Sequence, residues 1–184
     1  LALAQAWLCE TPADGAACGH CASCRLMAAK AHPDFRCILP EALREPLGWA
    51  TEGGDGAGEG GTKAKPSREI RIADLRAAVD WGQRTSTRAG AKVILLHPAE
   101  AMNAIAANAL LKLLEEPPAR ALLLLVCHAP GRLLPTLRSR CRRLSLRPLS
   151  ELETLAALRQ ARPQLADAEA QALAAGAGGS PGRA

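Results

Sequence analysis

Four cysteines near the start of the chain are the residues whose type and spacing most clearly predict chemistry: Cys9, Cys18, Cys21 and Cys24. Their spacing is C-x8-C-x2-C-x2-C, so three thiols share one tight turn region and the intervening residues let the fourth fold back. Four soft thiolates about 2.3 Å from one ion form the closed tetrahedral shell typical of structural Zn²⁺. A closed shell leaves no position for water, so the pattern predicts a structural zinc site and not a catalytic metal.

Other interpretations of these thiols stay open. They could be inert buried side chains or redox-active groups, and His20 could replace one thiol as a ligand. A disulfide framework is disfavoured, because we see no secretory signal peptide and seven cysteines is an odd number. The other three cysteines, Cys37, Cys127 and Cys141, lie on strand-like segments and are interpreted as buried thiols.

The composition indicates a packed protein and argues against two classes, membrane-spanning proteins and proteins that stack aromatic side chains on exposed bases. The chain has 184 residues, of which 48% are apolar, enough for one packed domain and part of another. Tyr is absent and Phe occurs once, which argues against recognition of exposed bases by aromatic stacking. No apolar run is long enough for a membrane span, and we see no targeting segment, so we expect a cytoplasmic protein without membrane contact. The chain begins without Met in a helix-like segment, and its true start is expected upstream.

The positive charge is concentrated in one segment. The net charge is +5, and the stretch from Arg132 to Arg147 holds six arginines and no acidic residue. Such a stretch could face the phosphates of DNA or of a nucleotide. It is equally typical of a solvated surface. Both interpretations stay open for most of these arginines.

Local patterns predict strands that alternate with helices. Helices are predicted at residues 1–8, 25–31, 72–82, 151–159 and 166–175, with a further helix capped by Asn103 and running to about Glu115. Strands are predicted at 34–39, 93–96, 121–126 and 141–146. This order is typical of an α/β fold with a parallel sheet, followed after Pro148 by a small all-helical domain.

A long connection is predicted between the first strand and the next helix. Residues 40–65 include a Gly-rich tract at 53–61 that cannot bury enough surface to offset chain entropy, so we expect a flexible loop. The order Gly61-Thr62-Lys63 inverts the end of the G-x-x-x-x-G-K-[ST] pattern. A phosphate-binding loop is therefore not predicted here.

Several segments together resemble a known family. The motifs lie at residues 92–103, at 106–118 (AANALLKLLEEPP), at 133–141 (LLPTLRSRC) and at 179–184 (GSPGRA), and the cysteine spacing matches a zinc module of the same family. With these motifs the chain is identified as a member of the delta-prime subunits of the bacterial DNA polymerase III clamp loader. The resemblance covers nearly the whole chain except the Gly-rich tract.

The resemblance implies an AAA+ architecture: an α/β parallel sheet with flanking helices and an inserted four-cysteine zinc module, followed by the start of a helical lid. We expect residues 1–148 to form the AAA+ domain without its first strand and phosphate loop, with the zinc module at 9–24 and the flexible loop at 50–65. Residues 149–184 would form a partial lid. A collar domain would follow Ala184, and this piece is expected to fold poorly alone.

The resemblance also implies that ATP is not bound or hydrolysed in cis. The gamma and tau relatives carry an Asp-Glu pair after the third strand, and the matching positions here are His97 and Pro98. Glu100 could point back to that site, although we expect it to begin the next helix. The sensor Thr of the ATPase relatives is replaced in the segment Cys127-His128. The alternative is a gamma/tau-like subunit that hydrolyses ATP itself, which an upstream phosphate loop would favour.

Arg140, in the motif Ser139-Arg140-Cys141, resembles the arginine finger of the family. It would act in trans on ATP held by a neighbouring gamma or tau subunit, since a planar permanent cation suits γ-phosphate oxygens. Without the motif it would be an ordinary surface arginine. Arg183 resembles the sensor position of the lid, where it would help to pack the two domains.

The implied function is that of a non-catalytic clamp-loader subunit in DNA replication, which helps to load the sliding clamp onto primed DNA. Its partners would be the gamma/tau and delta subunits, with the clamp and DNA reached through the complex. It would be a component of a DNA-directed DNA polymerase holoenzyme, a nucleotidyltransferase, with no polymerase or ATPase activity of its own. A zinc module that binds DNA directly is a third hypothesis, which the net basicity fits and the shortage of aromatic residues does not.

Overall fold

The computed structural model describes residues 1–49, 65–88 and 90–180. The chain divides after Arg142 into two compact units, residues 1–142 and 143–184. The predicted domain boundary at Pro148 lies slightly later in the chain. The Gly-rich tract and Arg183 lie outside the described residues, as does nearly all of the predicted loop at 50–65.

Three parallel strands form the centre of the first unit: β1 (Phe35–Ile38), β2 (Lys92–Leu96) and β3 (Ala121–Leu125), paired in the order β1-β2-β3. Every residue of β2 is buried, as a continuous apolar run between two neighbours predicts. The mixed α/β class and the parallel sheet are confirmed. β3 was predicted to be buried, but it is only half-buried because it lies at the edge of this sheet.

Eight α-helices are described. In the first unit they are α1 (Ala2–Leu8), α2 (Ala22–Ala28), α3 (Glu41–Arg44), α4 (Ile72–Gln83), α5 (Ala104–Glu115) and α6 (Pro135–Arg138), and in the second α7 (Glu151–Ala161) and α8 (Asp167–Gly176). Short 3₁₀ turns occupy Ala99–Ala101 and Pro130–Arg132. Among the described helices, none has the length and apolar character needed to cross a membrane.

The sheet separates two apolar cores, because alternate residues of β2 point to opposite faces. Ile94 and Leu96 join the core built with α4, α5 and α6. Val93 and Leu95 join the core that holds α1 and α2 against the other face. Helix α1, which Cys9 follows, and α2, which contains Cys24, thus pack against the face of the sheet that Val93 and Leu95 line.

The start and end of α5 follow from local chemistry. The Asn103 side chain accepts a hydrogen bond from the backbone N–H of Ala106 at 2.9 Å, which satisfies one of the free donors at the helix start. The helix ends at Glu115, just before Pro117 and Pro118, whose rings cannot continue a helix. The predicted cap and both predicted ends are confirmed.

Three predicted elements differ from the structure. The segment Cys141–Leu146 is not a strand: no partner edge pairs with it among the described residues, and Leu144 and Leu146 are 74% and 86% exposed. The predicted loop after β1 begins with a helical turn, α3, which Glu41 favours as an acidic residue in the first turn. Finally, α2 begins at Ala22 and not at Arg25, because the Cys21 thiol caps it.

The second unit is helical where it is described. Ser150 and Glu153 form a reciprocal capping box at the start of α7, and Arg147 donates two hydrogen bonds to Glu153. These contacts, led by Arg147, hold the pKa of Glu153 at about 2. Gly179 has a left-handed backbone with φ at +76°, and a Cβ there would lie 2.6 Å from the Leu149 carbonyl oxygen, so only glycine fits.

One buried carboxylate fixes the start of the sheet. Asp34, 1% exposed, precedes β1 and accepts hydrogen bonds from the backbone N–H groups of Thr87 at 2.7 Å and Arg88 at 3.0 Å. These donors belong to the segment that leads into β2. Asp34 therefore ties the beginnings of two neighbouring strands together.

We expect Asp34→Asn to lower the free energy of unfolding by about 1–3 kcal/mol, because an amide nitrogen would face one of the two buried N–H donors. Urea denaturation followed by circular dichroism measures the change. Asp80→Asn is the matched control, since Asp80 is an exposed residue of α4. Equal stability of the two variants would contradict this role of Asp34.

Candidate functional site

The four predicted cysteines lie together between α1 and α2. Cys9 follows α1, Cys21 caps α2 and Cys24 lies in the first turn of α2. All four Sγ atoms lie within 4.8 Å of one another, and two of the pairs, Cys9–Cys21 and Cys18–Cys24, are separated by 3.9 Å. A tetrahedral ion with four bonds of about 2.3 Å would require sulfur atoms about 3.8 Å apart. The group could therefore hold one metal ion.

Backbone N–H groups point at three of the sulfur atoms. The N–H groups of Cys18, Cys21 and Cys24 donate to the sulfur atoms of Cys9, Cys18 and Cys21 at 3.3, 3.4 and 3.4 Å. Such bonds favour the thiolate over the thiol. The bonds to Cys18 and Cys21 follow from the two C-x2-C steps, which turn each amide back toward the preceding thiol, whereas the bond to Cys9 spans the nine positions from Cys9 to Cys18.

The four thiols are not electrostatically alike. A hydrogen bond from Thr11, followed by those from the backbone of His20 and Cys21, lowers the pKa of Cys18 to about 5. The pKa of Cys21 is also lowered, first by a backbone hydrogen bond from Glu10. Burial raises the pKa of Cys24 to about 12. A cation at the centre would supply the charge that Cys24 needs to ionise in its buried position.

His20 does not belong to the converging group. Its Nδ1 lies 2.9 Å from the carbonyl oxygen of Cys18, so the ring donates to the backbone, and its side chain is exposed. The group within mutual reach consists of the four thiols. Among the described residues, the alternative in which His20 replaces a cysteine is not supported by this geometry.

A relay of hydrogen bonds connects the cysteine module to the sheet. The backbone N–H of Asp34 donates to Nδ1 of His32 at 3.1 Å, so the proton of this imidazole is on Nε2, which donates to the Ser23 hydroxyl at 3.2 Å. Ser23 in turn donates to Glu10 at 3.1 Å. Arg88 donates to the same Glu10 oxygen at 2.7 Å. The relay thus begins and ends on residues that flank the sheet.

The relay requires a neutral His32. Its side chain is buried, and burial, as the largest effect, lowers its pKa below the ordinary 6.5. A second proton would occupy Nδ1 and break the bond from Asp34. The sequence identified His32 only as the end of a helix, because its spacing from Ser23 and Glu10 fits no local motif.

A second cluster lies at the carboxyl end of β2 and β3, where the resemblance expects the carboxylates of an ATPase. His97 follows β2, and its ring lies 5.1 Å from the ring of His128, which follows β3. Burial, then proximity to His128, lowers the pKa of His97, so it is neutral at pH 7. Its Nδ1 is buried and has no partner among the described residues. Neither His97 nor Pro98 offers a carboxylate here.

The carboxylate of Glu100 accepts hydrogen bonds from the backbone of the loop after β3. It lies in the 3₁₀ turn Ala99–Ala101 and not at the start of α5, where it was expected. Its Oε1 accepts from the N–H groups of His128 and Ala129 at 3.0 and 3.2 Å. Burial alone would raise the pKa of Glu100, but hydrogen bonds from backbone N–H groups and the Cys127 thiol lower it overall. The carboxylate therefore holds the loop after β3.

Arg140 lies just after α6 and folds back onto its own chain. Its Nη2 and Nε lie 2.6 and 2.8 Å from one oxygen of Glu115, and its Nη1 donates to the Thr136 carbonyl at 3.0 Å. The Ser139 hydroxyl donates to the same carbonyl at 3.0 Å. Cys141 is half-buried, and burial raises its pKa.

Glu115 is a residue that sequence reasoning did not single out. It is separated from Arg140 by 25 positions, so no local spacing reveals the pair. The other three cysteines, predicted to be buried on strands, are only partly buried, and of these only Cys37 lies in a described strand. Burial raises the pKa of Cys37 to about 11, and burial, then the hydrogen bond to Glu100, raises that of Cys127. Two of the six arginines in the basic segment, Arg140 and Arg147, are paired with glutamates.

Comparisons with known proteins agree on one family. A family model described as "DNA polymerase III, delta subunit" matches residues 1–150. The DNA polymerase III subunit delta' of Pseudomonas aeruginosa is 43% identical over 144 residues, which cover 76% of this chain and 37% of the relative. The subunit delta' of Escherichia coli K12 is 36% identical over 183 residues, covering 100% of this chain and 48% of the relative. The subunit delta' of Bacillus subtilis is 29% identical over 151 residues, which cover 81% of this chain and 37% of the relative.

Among solved structures, a DNA polymerase III gamma subunit-related protein from Thermotoga maritima is similar with a TM-score of 0.46 and 26% identity, covering 80% of this chain and 57% of that one. A TM-score at this level does not by itself establish a shared fold. The chain spans between about a third and a half of the length of the curated relatives described above.

We expect stability to fall more steeply on acidification in the wild-type protein than in His32→Gln. The folded-state pKa of His32 lies below its unfolded value of 6.5, so its contribution is complete above 6.5 and is lost as the pH falls through the folded pKa. Unfolding free energies compared between about pH 7.5 and 5.5 measure this. The thiols and carboxylates are common to both proteins and affect both pH profiles equally. Parallel profiles would therefore contradict the claim that the relay depends on a neutral His32.

Proposed function

The chain belongs to the DNA polymerase III delta subunit family, and from that premise we propose that it is part of a delta-prime-type clamp-loader subunit that does not hydrolyse ATP itself. The subunit would assemble with gamma/tau and delta subunits and help to load the sliding clamp onto primed DNA during replication. In this proposal residues 1–142 are the AAA+ α/β part, and α7 and α8 begin the helical lid. Arg183 would help to pack the lid.

One observation supports the proposal that this subunit does not hydrolyse ATP itself: among the described residues, the carboxyl ends of β2 and β3 carry no free carboxylate. Phosphoryl transfer requires carboxylates to hold Mg²⁺ and to orient the attacking water. Here His97 is neutral, Pro98 has no polar side chain and Glu100 is bonded to two backbone N–H groups. A gamma/tau-like ATPase remains the alternative, and it would need Glu100 to leave those donors.

The contribution to catalysis is proposed to act in trans through Arg140. Its guanidinium is permanently charged and 37% exposed, and Arg140 lies just after α6, a short helix that packs on the core through Leu137. A cation delivered across a subunit interface would stabilise the charge that develops on the γ-phosphate of a neighbouring ATP. Ser139 and Cys141 would shape the turn that carries it.

The four-cysteine group is proposed to bind one structural Zn²⁺ through Cys9, Cys18, Cys21 and Cys24. Four converging thiolates in tetrahedral spacing favour zinc or an iron–sulfur site, and a closed shell of four protein ligands is typical of structural zinc. When bound, the ion would neutralise the thiolates and join α1 to α2. Metal binding would then contribute to the stability of the module.

We expect about one zinc ion per chain, because each structural site of this type holds a single ion. Elemental analysis of the purified protein measures the content. Cys24→Ser should lose the metal, since a hydroxyl is a poor substitute for a buried thiolate, whereas Cys37→Ser in β1 should retain it. Zinc content that is unchanged by Cys24→Ser would contradict the site.

We expect Arg140→Ala to lower the DNA-stimulated ATPase rate of the reconstituted clamp loader. At the one ATP site that it serves, the loss should be on the order of 10³-fold, as for other arginine fingers. Arg140→Lys should not restore the rate, because an ammonium lacks the planar fork. Steady-state phosphate release is the measurement.

Two controls accompany this experiment. Arg138→Ala removes a neighbouring positive charge whose side chain, within the described part of the chain, donates to the Pro130 carbonyl at 3.5 Å, and it should leave the rate unchanged. The isolated full-length subunit should not turn over ATP and Mg²⁺. An unaffected rate in the Arg140→Ala complex would refute the arginine finger, and turnover by the isolated subunit would support the ATPase alternative.

A further inference from the structure

All three nitrogen atoms of the Arg140 guanidinium are bound within the chain. Nε and Nη2 are paired with Glu115 and Nη1 with the Thr136 carbonyl, four residues earlier. An arginine that reaches across an interface must extend away from its own backbone. In this arrangement the side chain instead curls back along α6, and its charge is neutralised by the adjacent carboxylate.

The core fixes the position of both partners. Leu113, near the end of α5, and Leu137, in α6, are buried in the same apolar cluster. The core thus holds the end of α5, which carries Glu115, next to α6, which Arg140 follows two residues later. Glu115 is 49% exposed, so the pair lies at the surface, where solvent and a third group can reach it.

The carboxylate of Glu115 and a phosphate compete for the same donors. Both are planar or tetrahedral oxyanions that bind a guanidinium through paired N–H groups. While Glu115 occupies the Nε and Nη2 side, that side cannot be given to a γ-phosphate. An exposed ion pair is weak, so a correctly placed phosphate could displace it.

We propose that Glu115 is a restraining residue: it holds Arg140 in a withdrawn position, and engagement of a neighbouring subunit's ATP requires exchange of the Glu115 carboxylate for the phosphate. This inference rests on the proposed role of Arg140 as a finger acting in trans. The restraint would limit ATP hydrolysis in complexes that have not engaged DNA. Glu115 acts only through Arg140 and does not touch nucleotide.

The test compares Glu115→Gln with Glu116→Gln in the reconstituted clamp loader. Both variants remove one negative charge near the end of α5, but only Glu115 is paired with Arg140. We expect Glu115→Gln to raise the ATPase rate without DNA by about two- to five-fold, the range that loss of an exposed ion pair allows. The DNA-stimulated maximum should not change, so the stimulation ratio should fall. Glu116→Gln should match the wild type in both rates.

The double variant separates this inference from the proposed function. If Glu115 acts through Arg140, then Glu115→Gln combined with Arg140→Ala should show no rise in the DNA-independent rate. A rise that persists without Arg140, no rise at all, or a fall to the Arg140→Ala level would each overturn the restraint. If Arg140→Ala alone leaves every rate unchanged, the finger itself is refuted. Thermal melting of each variant subunit verifies that the fold is intact.

Discussion

The buried carboxylate of Asp34 is the constraint on which the arrangement of the first unit depends. The carboxylate accepts hydrogen bonds from the two backbone N–H groups that precede β2. The backbone N–H of Asp34 begins the relay through His32 and Ser23 to Glu10. Burial of an ionised group is tolerated only when hydrogen bonds compensate for lost hydration. One charge therefore sets the register of two strands and the position of the cysteine module against them.

Two other acidic residues show that carboxylates in this unit serve the polypeptide more than any bound ligand. Glu100 binds the backbone after β3, and Glu115 binds the guanidinium of Arg140. The metal-binding capacity is concentrated instead in thiols on the opposite face of the sheet, beside the core formed with α1 and α2. The sheet thus separates a module that could hold a metal from the face against which α5 and α6 pack.

What could be predicted from the sequence depended on the range of the interaction. Helix α5, its Asn103 cap and the cysteine group follow from periodicity or spacing within a few turns of chain, and the structure agrees. Alternation at Cys141–Leu146 was misleading, because a strand also needs a partner edge, which the local pattern does not contain. The pair of Glu115 with Arg140 was missed for the same reason: it joins two helices through the packing of the core.

The attachment of Glu100 to the loop after β3 has an evolutionary consequence. Replacing His97 and Pro98 with Asp and Glu would place two new negative charges close to the half-buried carboxylate of Glu100. Their repulsion would weaken the bonds to His128 and Ala129 and loosen the loop that they hold. Acidic residues at positions 97 and 98 would therefore need compensating changes around Glu100, so this contact restricts which side chains the two positions can accept.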